Sequence, residues 1–468
     1  MFKAIFTNSF GILFSRILGL VRDLMTASFL GANLYTDIFF IAFKLPNLFR
    51  RIFAEGAFTQ VFLPAFTRSR HKAVFSIHIL LVFFLVIMLL TLSVNLFPDA
   101  ASKAIAVGFD AQTITLAAPF VAINFFYLPL IFLVTFFSTF LQYKHHFSTT
   151  AYATALLNIS LIGALLLSKG MEEETIVYYL SYGVVIGGLL QLAVHIMALY
   201  RLNLLPLFIG GITYYRRKVA AIQHETRQFK QQFFPAIWGN STAQFSAFLD
   251  TWLASFLATG AISYLYYANR IFQLPLALFA IAVSIALFPK VARHLKHNDE
   301  AKAMEFMRQA FWFLFFILSF STLGGYILSY EITRLLFERG AFHADDTVHT
   351  AAVLQMYMLG LLPFGLSKLF ALWLYAQQRQ GEAAQIATYT LGSNIILSLV
   401  LIAPLEAAGL ALASSLSGFI GFVMTVRAFG NDRFFDIISP KYLLWYVGSM
   451  VIFTLTLLAF KELLHAYL

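Results

Sequence analysis

The sequence contains no cysteine and few charged side chains. Without cysteine, the chain has no disulfide, thiolate metal site or cysteine nucleophile. Charged residues make up 12% of the 468 residues, where an ordinary soluble domain has about 25%. Hydrophobic residues make up 60%. This composition argues strongly against a water-soluble enzyme and against a disordered chain. A glycine-rich nucleotide loop is also missing, so ATP-driven transport is not expected.

Long apolar runs dominate the rest of the chain. A helix that crosses a bilayer needs about 20 mostly apolar residues, and thirteen segments satisfy this requirement. We therefore predict an all-α polytopic membrane protein with about thirteen transmembrane helices. The predicted spans are residues 4–30, 33–55, 75–97, 114–141, 149–168, 175–199, 232–257, 261–289, 306–329, 348–376, 384–403, 406–427 and 441–463.

The distribution of Lys and Arg predicts the orientation of these spans. If the N-terminus lies inside, 20 of the 32 basic residues fall in inner segments and five in outer segments. By the positive-inside rule, the N-terminus is then cytoplasmic. The formal net charge of +10 is mostly a topology signal. Because no basic patch is left over, nucleic acid is not an expected partner.

An internal repeat suggests two related halves. Residues Gly31–Pro46 and Gly260–Pro275 agree at six of sixteen positions and begin in spans two and eight. An even offset gives both copies the same orientation, which predicts two pseudo-symmetric six-helix lobes, 1–200 and 232–430. One extra transmembrane helix follows in 431–468. Between the lobes, 201–231 is a basic linker, either an amphipathic helix on anionic lipid or a solvated loop. The alternative is chance similarity between apolar helices.

Several charges lie inside the predicted spans. Each basic residue costs about 2.5–3.5 kcal/mol at the bilayer centre, so these side chains are expected to face water, partners or a polar cavity. The basic ones are Arg16, Arg22, Lys44, Arg50, Arg51, Arg270 and Lys368. The acids at similar positions are Asp23, Asp37, Glu55 and Asp250.

Helical spacing groups some of these charges. Asp37, Lys44 and Arg51 are seven residues apart, which places them on one face of span two. Arg16 and Asp23 share a face of span one in the same way. The first two spans are therefore expected to line a hydrated, cationic central cavity suited to phosphate or pyrophosphate. The alternative is a buried ion-pair network with snorkelling arginines at its edge.

Three stretches closely resemble one protein family. They are FSRILGLVRD at Phe14–Asp23, TDIFFIAFKLPNLFRRIFAEGAFTQVFLP at Thr36–Pro64, and YYANRIFQLP at Tyr266–Pro275. This pattern is similar to the MurJ/MviN family, the bacterial lipid II flippases of the multidrug/oligosaccharidyl-lipid/polysaccharide exporter superfamily. The resemblance implies a transporter of the inner membrane, not an enzyme. Its substrate would be undecaprenyl-pyrophosphate-linked disaccharide-pentapeptide, moved from the inner to the outer leaflet by alternating access for peptidoglycan biosynthesis.

The resemblance also implies partners and residue roles. Lipid II and membrane lipids are the expected partners, with the cell-wall synthesis machinery as a further candidate and no cofactor. The implied substrate-binding residues are Arg16, Arg22, Asp37, Lys44, Asn47, Arg50, Arg51, Glu55 and Arg270. A candidate ion site consists of Asp250, Asn394 and Ser398. Ser398 replaces an acid found in some members. The energy source is therefore either a monovalent cation or the membrane potential. No metal site is predicted.

Two alternatives and two departures accompany this interpretation. A flippase for polysaccharide or O-antigen oligosaccharide on the same lipid carrier has the same architecture. A membrane enzyme that uses lipid II would need carboxylates positioned for catalysis, and the nearest candidates, Asp345 and Asp346, are predicted to be ordinary loop charges.

Asn269 stands before Arg270 where many relatives have aspartate. The family usually has fourteen spans, so the path of the lipid tail is not predicted.

Overall fold

The computed structural model describes residues 2–52 and 58–467, without the side chains of 2–10, 12, 50–52, 234, 238–243, 247 and 464–467. These residues form helices joined by short turns, with no strand among them. The chain divides into two compact units, Met1–Thr259 and Gly260–Leu468. The prediction of an all-α fold is confirmed.

In its described residues, the first unit contains eleven α-helices and one short 3₁₀ turn, Val219–Ile222. The α-helices are α1 (Phe2–Leu30), α2 (Leu34–Ile52), α3 (Phe58–Arg68), α4 (Lys72–Leu96), α5 (Pro98–Ile105), α6 (Ala111–Phe125), α7 (Tyr127–Tyr143), α8 (Ser148–Leu167), α9 (Glu173–Arg201), α10 (Leu205–Lys218) and α11 (Gln223–Ala254).

The second unit contains nine α-helices, and a π-helical segment, Leu276–Ile281, joins its first two. The α-helices are α12 (Ala261–Pro275), α13 (Ala282–Lys296), α14 (Glu300–Ile327), α15 (Ser329–Phe337), α16 (Ala344–Leu359), α17 (Leu361–Ala376), α18 (Gln380–Phe429), α19 (Asn431–Ile437) and α20 (Pro440–Tyr467).

Nine stretches of the described residues are long and apolar enough to cross a membrane. They include α4, α8, α9, α14 and α20 as single helices. Others join consecutive helices, such as Ala111–Tyr143, or contain two predicted spans, as Gln380–Phe429 does. The chain is therefore a multi-pass membrane protein. The remaining predicted spans, 4–30, 33–55 and 232–257, correspond to α1, α2 and α11, and the total of thirteen stays a prediction.

Helix α18 is a hairpin of two antiparallel helices. Glu406 interrupts it with φ 48° and ψ −129°, a backbone conformation that does not continue a helix. The amide of Asn394 donates to Ser414 Oγ at 3.1 Å, and a Cβ built on Gly421 would lie 2.6 Å from Thr390 Oγ1. Residues before and after the break therefore face each other, as two separate spans require.

The internal repeat has the same backbone signature in both copies. Gly31 has φ 70° and Gly260 has φ 94°, a left-handed conformation that glycine adopts at little cost. Each glycine is followed by a proline-containing helix, α2 with Pro46 and α12 with Pro275. The proposed relation between the two halves thus extends from sequence to local structure.

The predicted linker is helical. It forms α10, the 3₁₀ turn and the beginning of α11, which favours the helix alternative over a loop. Phe229 and Phe233 of α11 pack edge-on against Phe58, with ring centroids 6.3 and 6.2 Å apart. These contacts place α11 with the first unit. The domain limits remain predictions; they are 1–200, 201–231, 232–430 and 431–468.

The extra C-terminal helix packs on α14. The Tyr446 hydroxyl lies 3.0 Å from Ser319 Oγ, and the rings of Phe320 and Phe453 meet edge to face at 4.7 Å. Much of the rest of α20 is exposed, including Leu444 and Trp445. Apolar side chains exposed in this number are typical of a surface that faces lipid.

Candidate functional site

Helix α1 packs against α8 through a stripe of small residues. Gly11, Ser15 and Gly19 recur every four residues and so lie on one face. A Cβ built on Gly11 would lie 3.1 Å from Ala151 Cβ. This close packing is the usual role of small residues between membrane helices. The stripe therefore holds α1 on α8.

Arg22 is fixed between two partners. Its Nη2 and Nε donate to Asp23 Oδ1 at 2.6 and 3.0 Å, and its Nη1 donates to Asn158 Oδ1 at 3.0 Å. Asn158 in turn donates to the Ser15 carbonyl at 2.9 Å. Asp23 is 3% exposed, so this pair is largely removed from solvent. Asp23 therefore pairs with its neighbour Arg22 and not with Arg16, which the spacing had placed on the same face.

Arg16 has a different environment. It is exposed near the middle of α1, and its side chain makes no hydrogen bond or ion pair with the described residues. An arginine in this position within a membrane helix requires water or a ligand, because its cost in hydrocarbon is high. Arg16 is therefore the implied substrate-binding residue on α1 that is accessible to a ligand.

Helix α2 begins with a defined cap and carries three implied site residues. The Asn33 side chain accepts from the Thr36 backbone N–H at 3.0 Å, which satisfies an amide of the first turn. Asp37 follows and is 2% exposed. Lys44 and Asn47 are half-buried further along the same helix, which continues through Pro46. The side chains of Arg50 and Arg51, and the whole of Glu55, lie outside the described residues.

Arg270 in the second unit rests on a tyrosine one turn away. Its Nη2 donates to the Tyr266 hydroxyl at 2.6 Å, and its guanidinium carbon lies 4.6 Å from the centre of the Tyr266 ring. A cation over an aromatic face is attracted by the ring quadrupole. Asn269 accepts a hydrogen bond from Gln273. At position 269 this chain therefore has a neutral side chain that bonds along its own helix.

The candidate ion residues are divided between the units. Asp250 is 8% exposed on α11 in the first unit. Asn394 and Ser398 lie in the first half of the α18 hairpin in the second unit, where Asn394 contacts Ser414. The Ser398 hydroxyl is buried and has no hydrogen-bond partner within the described part of the chain. Among those residues no three His, Cys, Asp or Glu side chains are grouped as metal ligands.

Sequence reasoning missed the partners of the two fixed arginines. Asn158 is a buried amide in an apolar helix, and such a group needs hydrogen-bond partners, but nothing in the sequence says that α1 supplies them. Tyr266 precedes Arg270 by four residues, a spacing that does predict contact on a helix. The hydrogen bond between Asn394 and Ser414 could not be predicted, because it depends on the hairpin of α18.

The chain matches the family model for the lipid II flippase MurJ over residues 26–467. It belongs to the MurJ family. A MurJ relative from Helicobacter pylori, named a probable lipid II flippase, is 49% identical over 454 residues, which cover 95% of this chain and 98% of the relative. A relative of the same name from Rhizobium tropici is 33% identical, over 87% of this chain and 77% of the relative.

Solved structures support the same assignment. A lipid II flippase MurJ in an inward closed conformation superposes with a TM-score of 0.79 and is 25% identical, with 98% of each chain covered. An inward-facing multidrug resistance transporter of the MATE family superposes with a TM-score of 0.70 at 11% identity, over 92% of this chain and 98% of the other. The second match shows only that the fold is shared with that transporter family.

Proposed function

We propose that this chain is a lipid II flippase, a transporter and not an enzyme. The observation that carries the proposal is the match at 49% identity over nearly the full length to a relative named for this activity. The substrate is the undecaprenyl-pyrophosphate-linked disaccharide-pentapeptide, moved from the inner to the outer leaflet for cell-wall synthesis. The membrane is the bacterial inner membrane, with the N-terminus in the cytoplasm and the cell-wall synthesis machinery as a candidate partner.

The arginines suit the pyrophosphate of this substrate. Guanidinium presents paired donors that match phosphate oxygens, and it stays charged at every working pH. Arg16 is exposed and accessible, whereas Arg22 is held in one orientation by Asp23 and Asn158. In the second unit, Tyr266 fixes the guanidinium of Arg270. Each unit thus carries an oriented arginine, and we assign both to the pyrophosphate.

Asp37, Lys44, Asn47, Arg50, Arg51 and Glu55 complete the proposed substrate site. Asp37 is buried at the beginning of α2, where a carboxylate favours nearby cations and also repels phosphate. This acid would therefore weaken substrate binding when the site opens outward. Alternating access through a cavity between the halves stays a prediction.

The energy source has two candidates. A free cationic site is drawn inward by an interior-negative potential at about 2.3 kcal/mol per charge per 100 mV, which would reset the empty carrier. A monovalent cation held by Asp250, Asn394 and Ser398 is the second candidate. Dissipating the sodium gradient and the membrane potential separately, while outward movement of lipid II is measured, distinguishes these two sources.

Alanine substitution of the arginines tests the proposal. We expect Arg22→Ala and Arg270→Ala to abolish growth when each replaces the wild-type protein in a depletion strain. Lysine at either position should rescue only in part, because an ammonium group cannot make the paired contact. Arg427→Ala is the matched control, since Arg427 is exposed and makes no hydrogen bond or ion pair with the described residues. Membrane levels of each variant are measured by immunoblot.

Full growth with both alanine variants at normal membrane levels would contradict the assignment of these arginines. A purified protein that converted labelled lipid II into polymer would contradict the transporter assignment and favour the membrane enzyme. Rescue of the depletion strain by a flippase specific for a different polyprenyl-linked oligosaccharide would favour that second substrate.

A further inference from the structure

A cavity of about 360 Å³ lies within the first unit, between the beginning of α8 and the end of α9. Its walls are two helical faces with the same spacing. Helix α8 contributes Thr149, Tyr152 and Leu156, and α9 contributes Val194, Met197 and Arg201. Residues spaced by three and four lie on one face of a helix, so the two faces oppose each other across the cavity.

Next to the cavity, α8 and α9 pack closely. A Cβ built on Gly187 would lie 2.7 Å from Leu157 Cδ1, and one built on Gly183 would lie 3.0 Å from Ala164 Cβ. These glycines bring the helix axes together. Gln191 makes the next link, donating to the Ala153 carbonyl at 3.0 Å. Beyond it, the larger side chains face each other without filling the space.

The cavity is apolar inside and polar at its rim. Leu156, Val194 and Met197 provide hydrocarbon walls. At the rim, Arg201 is exposed, and its guanidinium makes no hydrogen bond or ion pair with the described residues. His146 lies beside it with its Nε2 2.8 Å from Thr149 Oγ1. The cation of Arg201, the imidazole of His146 and the hydroxyl of Thr149 therefore lie at the opening of an apolar cleft.

The residues around the cavity indicate that this part of the protein is surrounded by lipid. Apolar side chains on the outer surface of α8 and α9 are exposed, among them Ile159, Ile186 and Leu189. Tyr200, next to Arg201, is 72% exposed, and tyrosine is enriched where a membrane meets water. Lys144, in the turn before α8, adds a second exposed cation at the same end. By the positive-inside rule, this end faces the cytoplasm.

We propose that this cavity is a binding site for an anionic phospholipid of the cytoplasmic leaflet. The lipid phosphate binds Arg201 and the polar groups beside it, and the first part of an acyl chain fills the cleft between α8 and α9. Charge complementarity favours an anionic over a zwitterionic lipid, and the apolar walls favour a lipid over free phosphate. The site is separate from the proposed lipid II site and does not rest on it.

Native mass spectrometry of the purified full chain tests this proposal. The protein in detergent is mixed with phosphatidylglycerol, with phosphatidylcholine, or with millimolar inorganic phosphate, and bound molecules are counted. We expect phosphatidylglycerol to bind more tightly than phosphatidylcholine, and Arg201→Gln to weaken its binding about five-fold. The control Arg227→Gln removes an equal charge from an exposed position outside the cavity and should change nothing.

A second pair of variants tests the cleft. Val194→Trp fills it, and Ile196→Trp adds the same side chain to an exposed position on the opposite face of α9, outside the cavity lining. We expect Val194→Trp to reduce phosphatidylglycerol binding and Ile196→Trp to leave it unchanged, with both proteins eluting as the wild type does. Equal binding by wild type, Arg201→Gln and Val194→Trp would overturn the proposal. Binding of phosphate alone, or of both lipids equally, would overturn it as well.

Discussion

At the scale of single residues, the two units hold their arginines by different means. Arg22 is tied to a carboxylate and an amide, so its charge is partly compensated. Arg270 donates to a phenol and lies over its ring, and both contacts orient the guanidinium. The difference makes Tyr266 a positioning residue whose effect on Arg270 can be separated into ring and hydroxyl.

Substitution of Tyr266 makes that separation. Tyr266→Phe keeps the ring beneath Arg270 and removes the hydrogen bond, which typically contributes about 1 kcal/mol. Tyr266→Leu removes both. We therefore expect Tyr266→Phe to keep partial activity and Tyr266→Leu to lose most of it, measured as growth of a depletion strain at matched membrane levels. Equal activity of the leucine variant and the wild type would show that Arg270 is not positioned by this ring.

The sequence shows which charged residues lie within the predicted spans, but it does not show which of them form ion pairs. Spacing by seven placed Arg16 and Asp23 on one face, while the structure pairs Asp23 with Arg22. Adjacent residues on a helix point about 100° apart, so their contact depends on the long Arg22 side chain bending toward Asp23. The further partner of Arg22, Asn158, comes from α8, and contacts between distant helices are not encoded in the spacing along either one.

At the scale of helices, glycines determine where α8 and α9 touch. We expect Gly187→Ala to destabilise the protein, because the new methyl group would meet Leu157 at 2.7 Å, and overpacking of this kind costs about 1–3 kcal/mol. Gly163→Ala on α8 is the control, since nothing lies within 4 Å of its Cβ position. Alanine there should stabilise by about 0.5–1 kcal/mol. Thermal unfolding in detergent measures both; a lower midpoint for Gly163→Ala would contradict this packing.

The hairpin of α18 gives a second prediction. Glu406 has φ 48°, where a side chain is strained and glycine is not, so Glu406→Gly should raise stability by about 1 kcal/mol. Ala403→Gly, three residues earlier in the helix, should lower stability by about 1 kcal/mol. The unfolding midpoints of the two glycine variants should therefore move in opposite directions. A fall in both midpoints would show that the break at Glu406 is not strained.

Hydrophobic runs were enough to locate most helices, and the reasons for the exceptions are physical. The sequence predicted two spans here, 384–403 and 406–427, and the break at Glu406 agrees with that division. The short helices α5, α15 and α19 were not predicted, because they are shorter than a span and carry little periodic signal. Helices α2 and α11, which coincide with the predicted spans 33–55 and 232–257, carry charged and amide side chains and are not among the nine stretches found in the described residues.

At the scale of the whole molecule, one sequence motif occurs in both halves of the chain. The motif from Gly31 to Pro46 recurs from Gly260 to Pro275 with glycine in the same conformation, and the chain superposes along its length on a MurJ structure. Composition predicted the membrane class, and the motifs predicted the family. Neither the energy source nor the number of membrane crossings follows from these observations, because both depend on what surrounds the protein.

The central claim is that this chain carries lipid II from the inner to the outer leaflet. Leaflet-resolved detection of lipid II in cells depleted of the protein tests it directly, with an enzyme added outside the cells that cleaves only outward-facing lipid II. We predict that cleavage falls as the protein disappears while total lipid II rises, and that wild-type protein, but not Arg270→Ala, restores cleavage. Unchanged cleavage after depletion, with no other flippase present, would contradict the account.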